Sequence, residues 1–234
     1  MHNITAMNSR ILFIALVAGC AGYSAAQAST LASSTFDTGL DGWTSNTPTQ
    51  ISFQSTGGNP GGYIQFNDAT GASTVVFAPA AFLGNYLSEG VASISFDDNI
   101  IAETGVSSVG RYEIDLSGPG GSASFFGAQP STTYPTGWVN VDASITDATT
   151  PPTGWHVNSG TWQGLLANVT ELEIPIELVT NDEIPGDTDV EGIDNVTLKN
   201  GVASAPEPST VWLLAFGVVL GYAVRRIRRS PASL

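Results

Sequence analysis

Two stretches of strict alternation constrain the fold most. Along 139–145, Val139, Val141, Ala143 and Ile145 interleave with Asn140, Asp142 and Ser144; along 172–178, Leu172, Ile174, Ile176 and Leu178 interleave with Glu173, Pro175 and Glu177. A period of two sends alternate side chains to opposite faces of an extended chain, so each stretch is a strand with one dry and one wet face. Elsewhere between 29 and 201, short β-branched and aromatic runs are separated by turns rich in Gly, Ser, Thr, Asn and Asp, and helical periodicity is nearly absent. Strands are expected at 50–54, 63–66, 74–77, 92–97, 111–116, 122–126, 138–145, 172–178 and 193–199. This spacing predicts an all-β domain, an antiparallel β-sandwich of jelly-roll type. Pro175 cannot donate to a ladder, which places its strand at an edge or on a bulge. One segment, 161–169, with Trp162, Leu165, Leu166 and Val169 at helical spacing, reads as a helix capping one end.

The two ends of the chain carry addresses. Arg10 is the only formal charge before Asp37, and the apolar run 11–17 follows it, as in a signal peptide. Ala26 and Ala28 supply the small residues of a cleavage site before Ser29, which assigns 1–28 to the signal. Val17-Ala18-Gly19-Cys20 is the alternative, a lipobox in which Cys20 would be lipidated. At the other end a linker, 202–209, holds Pro206-Glu207-Pro208, an apolar helix is expected over 210–224, and 225–234 begins with Arg225, Arg226, Arg228 and Arg229. Arginines stay on the cytoplasmic side, so this is a directional membrane stop. It is short, because 15 helical residues reach about 22 Å against a hydrocarbon core of about 30 Å.

The order of Pro-Glu-Pro motif, short helix and arginine cluster resembles the PEP-CTERM sorting signal. That resemblance implies a bacterial exported protein, anchored in the inner membrane before processing by an exosortase-type protease and then placed at the cell surface or outside, often where exopolysaccharide or biofilm is made.

Of 21 carboxylates, twenty lie between residues 30 and 205, and of seven basic residues only Arg111 and Lys199 do. Such a surface repels phosphate backbones, which excludes nucleic acid as a partner. Once the signal is removed after Ala28 no cysteine is left, so stability must come from a packed core rather than disulfides.

Phe77-Ala78-Pro79-Ala80-Ala81-Phe82-Leu83-Gly84-Asn85, then Gly90-Val91-Ala92-Ser93-Ile94-Ser95-Phe96, the run 162–174 and the closing Ile193-Asp194-Asn195-Val196-Thr197-Leu198 resemble the laminin B (domain IV) pattern in order. Phe77 stands where that family usually has Trp, and Asn85 where Asp is common. The resemblance implies an extracellular, adhesive or structural β-sandwich without catalysis. The opening Phe36-Asp37-Thr38-Gly39-Leu40-Asp41-Gly42-Trp43 and closing Ile193-Asp194-Asn195-Val196 are also similar to galactose-binding-like and carbohydrate-binding jelly rolls. By that resemblance Asp37 and Asp194 would hold one structural calcium ion, helped by backbone carbonyls.

Other candidates follow from residue chemistry. Asp187, Asp189 and Glu191 mimic half of an EF-hand loop, but Leu198 stands where the bidentate Glu belongs, so a solvated acidic loop with at most weak calcium binding is expected. Trp43 and Trp162 are expected in the core; Trp138 and Trp155 flank the loop 147–154 and are the candidate platform for stacking sugars. Catalysis is not expected. His156 is the only histidine of the domain, Asp97 and Asp98 point to opposite faces, and Glu171, Glu173 and Glu177 line one strand with no opposing wall. The functional expectation is therefore a non-catalytic surface or matrix module; the alternative is a carbohydrate-binding module, with ice binding and hydrolysis ranked below.

Overall fold

The computed structural model describes residues 28–67, 74–104, 106–130, 136–176, 178–181 and 189–201. Cys20, Ala26, Asp187, Pro206, Glu207, Pro208, Arg225, Arg226, Arg228 and Arg229, and with them the expected membrane helix, lie outside these residues. Among the described residues no helix is long and apolar enough to cross a membrane.

In chain order the strands are β1 (Thr30–Ser34), β2 (Thr44–Ser45), β3 (Ile51–Gly58), β4 (Gly61–Asn67), β5 (Val75–Phe77), β6 (Val91–Glu103), β7 (Val106–Val109), β8 (Glu113–Gly118), β9 (Gly121–Phe126), β10 (Val139–Ser144), β11 (Trp155–Gly160), β12 (Glu171–Pro175), β13 (Val179–Asn181) and β14 (Asp189–Asn200). Two short α-helices, α1 (Tyr86–Glu89) and α2 (Trp162–Leu166), and a 3-10 turn at Ala80–Phe82 interrupt them. All pairings are antiparallel: one sheet runs β10-β6-β14-β4-β3 with β1 beside β14, a second runs β11-β9-β8-β12-β5-β2, and β13 pairs with β7. The expected all-β sandwich is what the chain forms.

Alternation behaves as the sequence implies. In β10, Val141 and Ala143 are buried while Asn140, Asp142 and Ser144 are exposed; in β12, Leu172 and Ile174 are buried while Glu171 and Glu173 point outward. The core between the sheets is aromatic at one end, where Trp155 lies 5.5 Å from Phe125 and 5.1 Å from Trp162. Trp43 and Trp162 are buried, as expected.

Three expectations are corrected. Pro175 is neither on an edge strand nor on a bulge: β12 lies inside its sheet, and Pro175 is its last residue, beyond the point where β8 stops pairing. The ladder ends before its missing donor matters, and Ile176 N–H resumes bonding to Thr74 O at 2.9 Å. The helix spans 162–166 rather than 161–169, capped by the Thr161 hydroxyl, because Val169 is drawn into backbone bonding with Gly84. Finally, Asp189 and Glu191 do not belong to a solvated loop. With Asp194 they sit in β14, a 12-residue strand at the centre of its sheet, and the three are exposed by only 1%, 0% and 0%.

Candidate functional site

The outward face of the first sheet concentrates the polar chemistry. One long edge of β14 pairs with β6, and the other is shared: β4 takes residues 190–193 and β1 takes 196–199. Asp194 and Asn195 fall at the junction. There the register shifts, and Asn195 adopts φ 51°, a left-handed conformation that asparagine tolerates.

Asp37 follows β1 and Gly61 opens β4, so both arrive at that junction. Asp37 Oδ2 accepts from the Thr35 hydroxyl at 2.9 Å. Gly61, at φ +96°, has to be glycine: a Cβ there would lie 2.1 Å from Asp37 Oδ1. Asp194 accepts from Asn59 N–H at 2.6 Å and from Asn195 N–H at 2.7 Å. Burial pushes the Asp194 carboxyl up, those two bonds pull it down, and the charges of Asp97 and Asp37 push it up again. The structure thus brings Asp37 and Asp194 together and adds Asp97, which sequence reasoning had treated only as half of a failed acid/base pair.

Asp97 is laced by amides. Its Oδ2 accepts from Asn195 Nδ2 at 2.8 Å and Asn59 Nδ2 at 3.1 Å, and its Oδ1 from Asn140 Nδ2 at 2.7 Å. Asn195 Nδ2 also donates to Asn59 O. The β3–β4 turn is thereby fastened over the sheet. Among the described residues, no group of three or more His, Cys, Asp or Glu side chains is placed to hold a metal ion. The donors at the junction are all hard oxygens, which suits calcium, but a cation there would rest on two carboxylates and neighbouring carbonyls.

Trp138 stands on the same face. Its indole N–H donates to Gly57 O at 3.1 Å, and its ring meets Tyr63 edge-on at 5.5 Å. Gly192 lies beneath, where a Cβ would come within 2.9 Å of Tyr63 and 3.1 Å of Trp138. Trp138 is half-buried, with Gln65, Asn99 and Asn140 on the outward positions of adjoining strands.

Trp155 does not join it. At 7% exposure it belongs to the core, its N–H bonded to Ser144 O at 2.9 Å, so the expected Trp138–Trp155 platform is corrected to Trp138 alone. A tryptophan beside a Gly and Pro-rich loop looks exposed in sequence. Here it starts β11, and the register sets it opposite Phe125, on the inward side.

The outward face of the second sheet carries a row in register: His156 opposite Ser124, Ser124 opposite Asp115, Asp115 opposite Glu173. The Ser124 hydroxyl donates to Asp115 Oδ1 and accepts from Asn158 Nδ2 at 2.9 Å. Glu173 is pushed up to about 7, by burial first and then by its bond to Glu171 and the charges of Glu171 and Asp115. Glu113 is pushed up to about 6 by burial and by Asp115. These carboxylates share one face of one sheet. Ala28, the described residue of the expected cleavage site, is exposed ahead of β1.

Residues 204–229 match the family model of the PEP-CTERM protein-sorting motif. The chain therefore carries the sorting motif of an exported protein anchored by its carboxyl terminus before processing. Comparison with curated proteins finds no match. Among solved structures, the L4b domain of human laminin alpha-2 is similar at 11% identity and TM-score 0.46, over 66% of this chain and 84% of that one. The C-terminal family 22 carbohydrate-binding module of Clostridium thermocellum Xyn10B is similar at 12% identity and TM-score 0.45, over 75% and 96%. A family 27 carbohydrate-binding module with specific mannan recognition is similar at 17% identity and TM-score 0.44, over 75% and 99%.

Proposed function

We propose that the chain is processed by an exosortase-type protease and then acts outside the cell as a non-catalytic module that binds neutral polysaccharide in the surrounding matrix. The observation that carries the reading is Trp138, a half-exposed indole with the amides Gln65, Asn99 and Asn140 on outward positions of the same sheet face. An aromatic face packs against the C–H side of a pyranose ring, and amides both donate to and accept from sugar hydroxyls. Twenty carboxylates against two cations in residues 30–205 repel polyanions but not neutral glycans.

The test is affinity electrophoresis of the full chain in gels containing mannan, other neutral glycans or the host's own exopolysaccharide. Retardation by at least one gel is expected, with Trp138→Ala weakening it about tenfold while circular dichroism stays that of the native sandwich. Because Trp138 also fastens Gly57, Asn140→Ala serves as a second variant that spares that bond. Migration unchanged in every gel would overturn the reading.

A structural calcium ion at the β1–β4–β14 junction belongs to the same proposal. Asp37 and Asp194 would hold it, and it would neutralise charge where two strand ends meet. Calcium should raise the melting temperature of the wild type more than that of Asp37→Asn; equal shifts would remove this part.

A further inference from the structure

The first and last strands of the domain meet at one point. Among the described residues β1 pairs with β14 alone, with Thr30 opposite Lys199 and Ser34 opposite Val196. One residue before β1, Ser29 is bonded to the last residue of β14 through its whole backbone. Its N–H donates to Asn200 Oδ1 at 2.6 Å, its carbonyl accepts from Asn200 N–H at 3.0 Å, and its hydroxyl reaches the same Oδ1 at 3.1 Å. Beside it, Gly201 N–H donates to Gly90 O at 2.9 Å, which fixes the point where the chain leaves the sheet. Farther along β1, Ala32 and Ser34 are buried, and the Ser34 hydroxyl accepts from the Trp43 indole N–H at 3.0 Å.

Ser29 is also the residue that follows the expected cleavage point. The nitrogen bonded to Asn200 is the nitrogen of the Ala28–Ser29 peptide bond, and the ladder starts at the next residue. Ala28 and Ser29 are exposed, so water reaches this bond. A protease needs more than water. It grips residues on both sides of the scissile bond in an extended, unpaired form, and here the chain from Ser29 onward is already paired, so cutting requires β1 to open first. The partner that closes β1 lies 171 positions later in the chain. In a chain exported amino terminus first, β14 is the last strand to arrive, and until it does β1 has no strand to pair with.

We propose that docking of β14 on β1 ends the period in which the signal can be removed, so that cleavage after Ala28 precedes completion of the fold and Asn200 then receives the new amino terminus. At about 5 to 20 residues per second, the chain from Ser29 to Asn200 takes roughly 10 to 30 s to make, and that is the interval the topology leaves open. In the cleavage step water adds across the Ala28–Ser29 bond. The Ala28 carbonyl carbon takes the hydroxyl and becomes a carboxylate, and the Ser29 nitrogen leaves as an amine that takes up the proton the new acid releases. The resulting ammonium keeps Asn200 Oδ1 as its acceptor, now in a charge-assisted bond. This ordering rests on the cleavage site expected from Ala26 and Ala28 and is independent of polysaccharide binding.

The experiment is digestion by a purified bacterial signal peptidase of the full chain, signal included, either folded in detergent or caught at the moment of dilution from urea, with the cut located by mass spectrometry. Cutting after Ala28 is expected to be at least about tenfold faster in the chain caught unfolded. In the folded chain, Asn200→Ala removes both side-chain bonds and should speed cutting about fivefold. A Gly-Ser insertion of about ten residues between Ser29 and Thr30 keeps the recognition residues and moves the bond clear of β1; it should bring the folded chain to the unfolded rate. Equal rates for the folded and unfolded chain, or an insertion variant that stays resistant, would overturn the ordering, and unchanged cutting of Asn200→Ala would overturn the role of Asn200. No cut after Ala28 in either form would overturn the cleavage site itself, and the ordering with it.

Discussion

Asp97 and Asp98 are one peptide bond apart and have opposite fates. Both are nearly buried, at 6% and 5% exposure. Asp97 faces outward and collects three side-chain amide bonds, from Asn59, Asn140 and Asn195, so its burial is answered by donors that the β3–β4 turn and two neighbouring strands bring to it. Asp98 faces inward beside Glu191 and Tyr112, and burial pushes its carboxyl up to about 7. Burial alone therefore says little about what a carboxylate does; what the pleat places around it decides.

The sharpest way to break the contrast is Asp97→Ala. Removing the acceptor leaves three amides without their shared partner and unfastens the turn, for an expected loss of about 2 to 3 kcal/mol and roughly 5 to 10 °C in melting temperature. Loss within about 0.5 kcal/mol would mean that water replaces the carboxylate easily and that the network is not what holds the turn.

The contrast also shows what the sequence could convey. Its period of two told that Asp97 and Asp98 part, and that Val141 and Leu172 go inward. It could not tell that Asp97 meets Asp194, because that register joins residues from strands nearly a hundred positions apart. The same limit hid the inward row of β14. Six carboxylates within 182–194 look like a solvated loop by composition, whereas pairing with β6 buries Asp189 and pairing on both edges buries Glu191. Asp37 and Asp194 were reachable by resemblance, and Trp43 and Trp162 by their apolar settings. Trp155 was not, since its direction is set by the register with Phe125 rather than by the loop before it.

Asp98→Asn is a smaller test of the same contrast. In chelator, replacing an inward carboxylate by a neutral amide of the same shape removes the penalty of charge burial and should leave stability unchanged or raise it by about 1 kcal/mol. Asp97→Asn should instead lower it, because an amide nitrogen cannot accept from the surrounding amides. Equal losses in both variants, measured by chemical denaturation, would show that the two environments are energetically alike.

Glu173 offers the smallest effect and a third environment, half-buried on the outward face of the second sheet. Its folded pKa is raised from 4.5 to about 7, burial being the largest cause and Glu171 the next. The folded protein therefore holds this proton more tightly than the unfolded chain, and the sign follows: the contribution is full below about pH 4.5, falls as pH rises, and is gone above about pH 7. Because the group is only partly buried, solvent screening keeps the effect small, and Glu173→Gln should flatten the fall of melting temperature between pH 4.5 and 7.5 by roughly 1 to 3 °C. Glu113, raised to about 6, contributes in the same direction at the lower end of that window. An identical pH profile in wild type and Glu173→Gln would show that Glu171 and Asp115 leave Glu173 ionised at neutral pH, and would put this row with Asp97 rather than with Asp98.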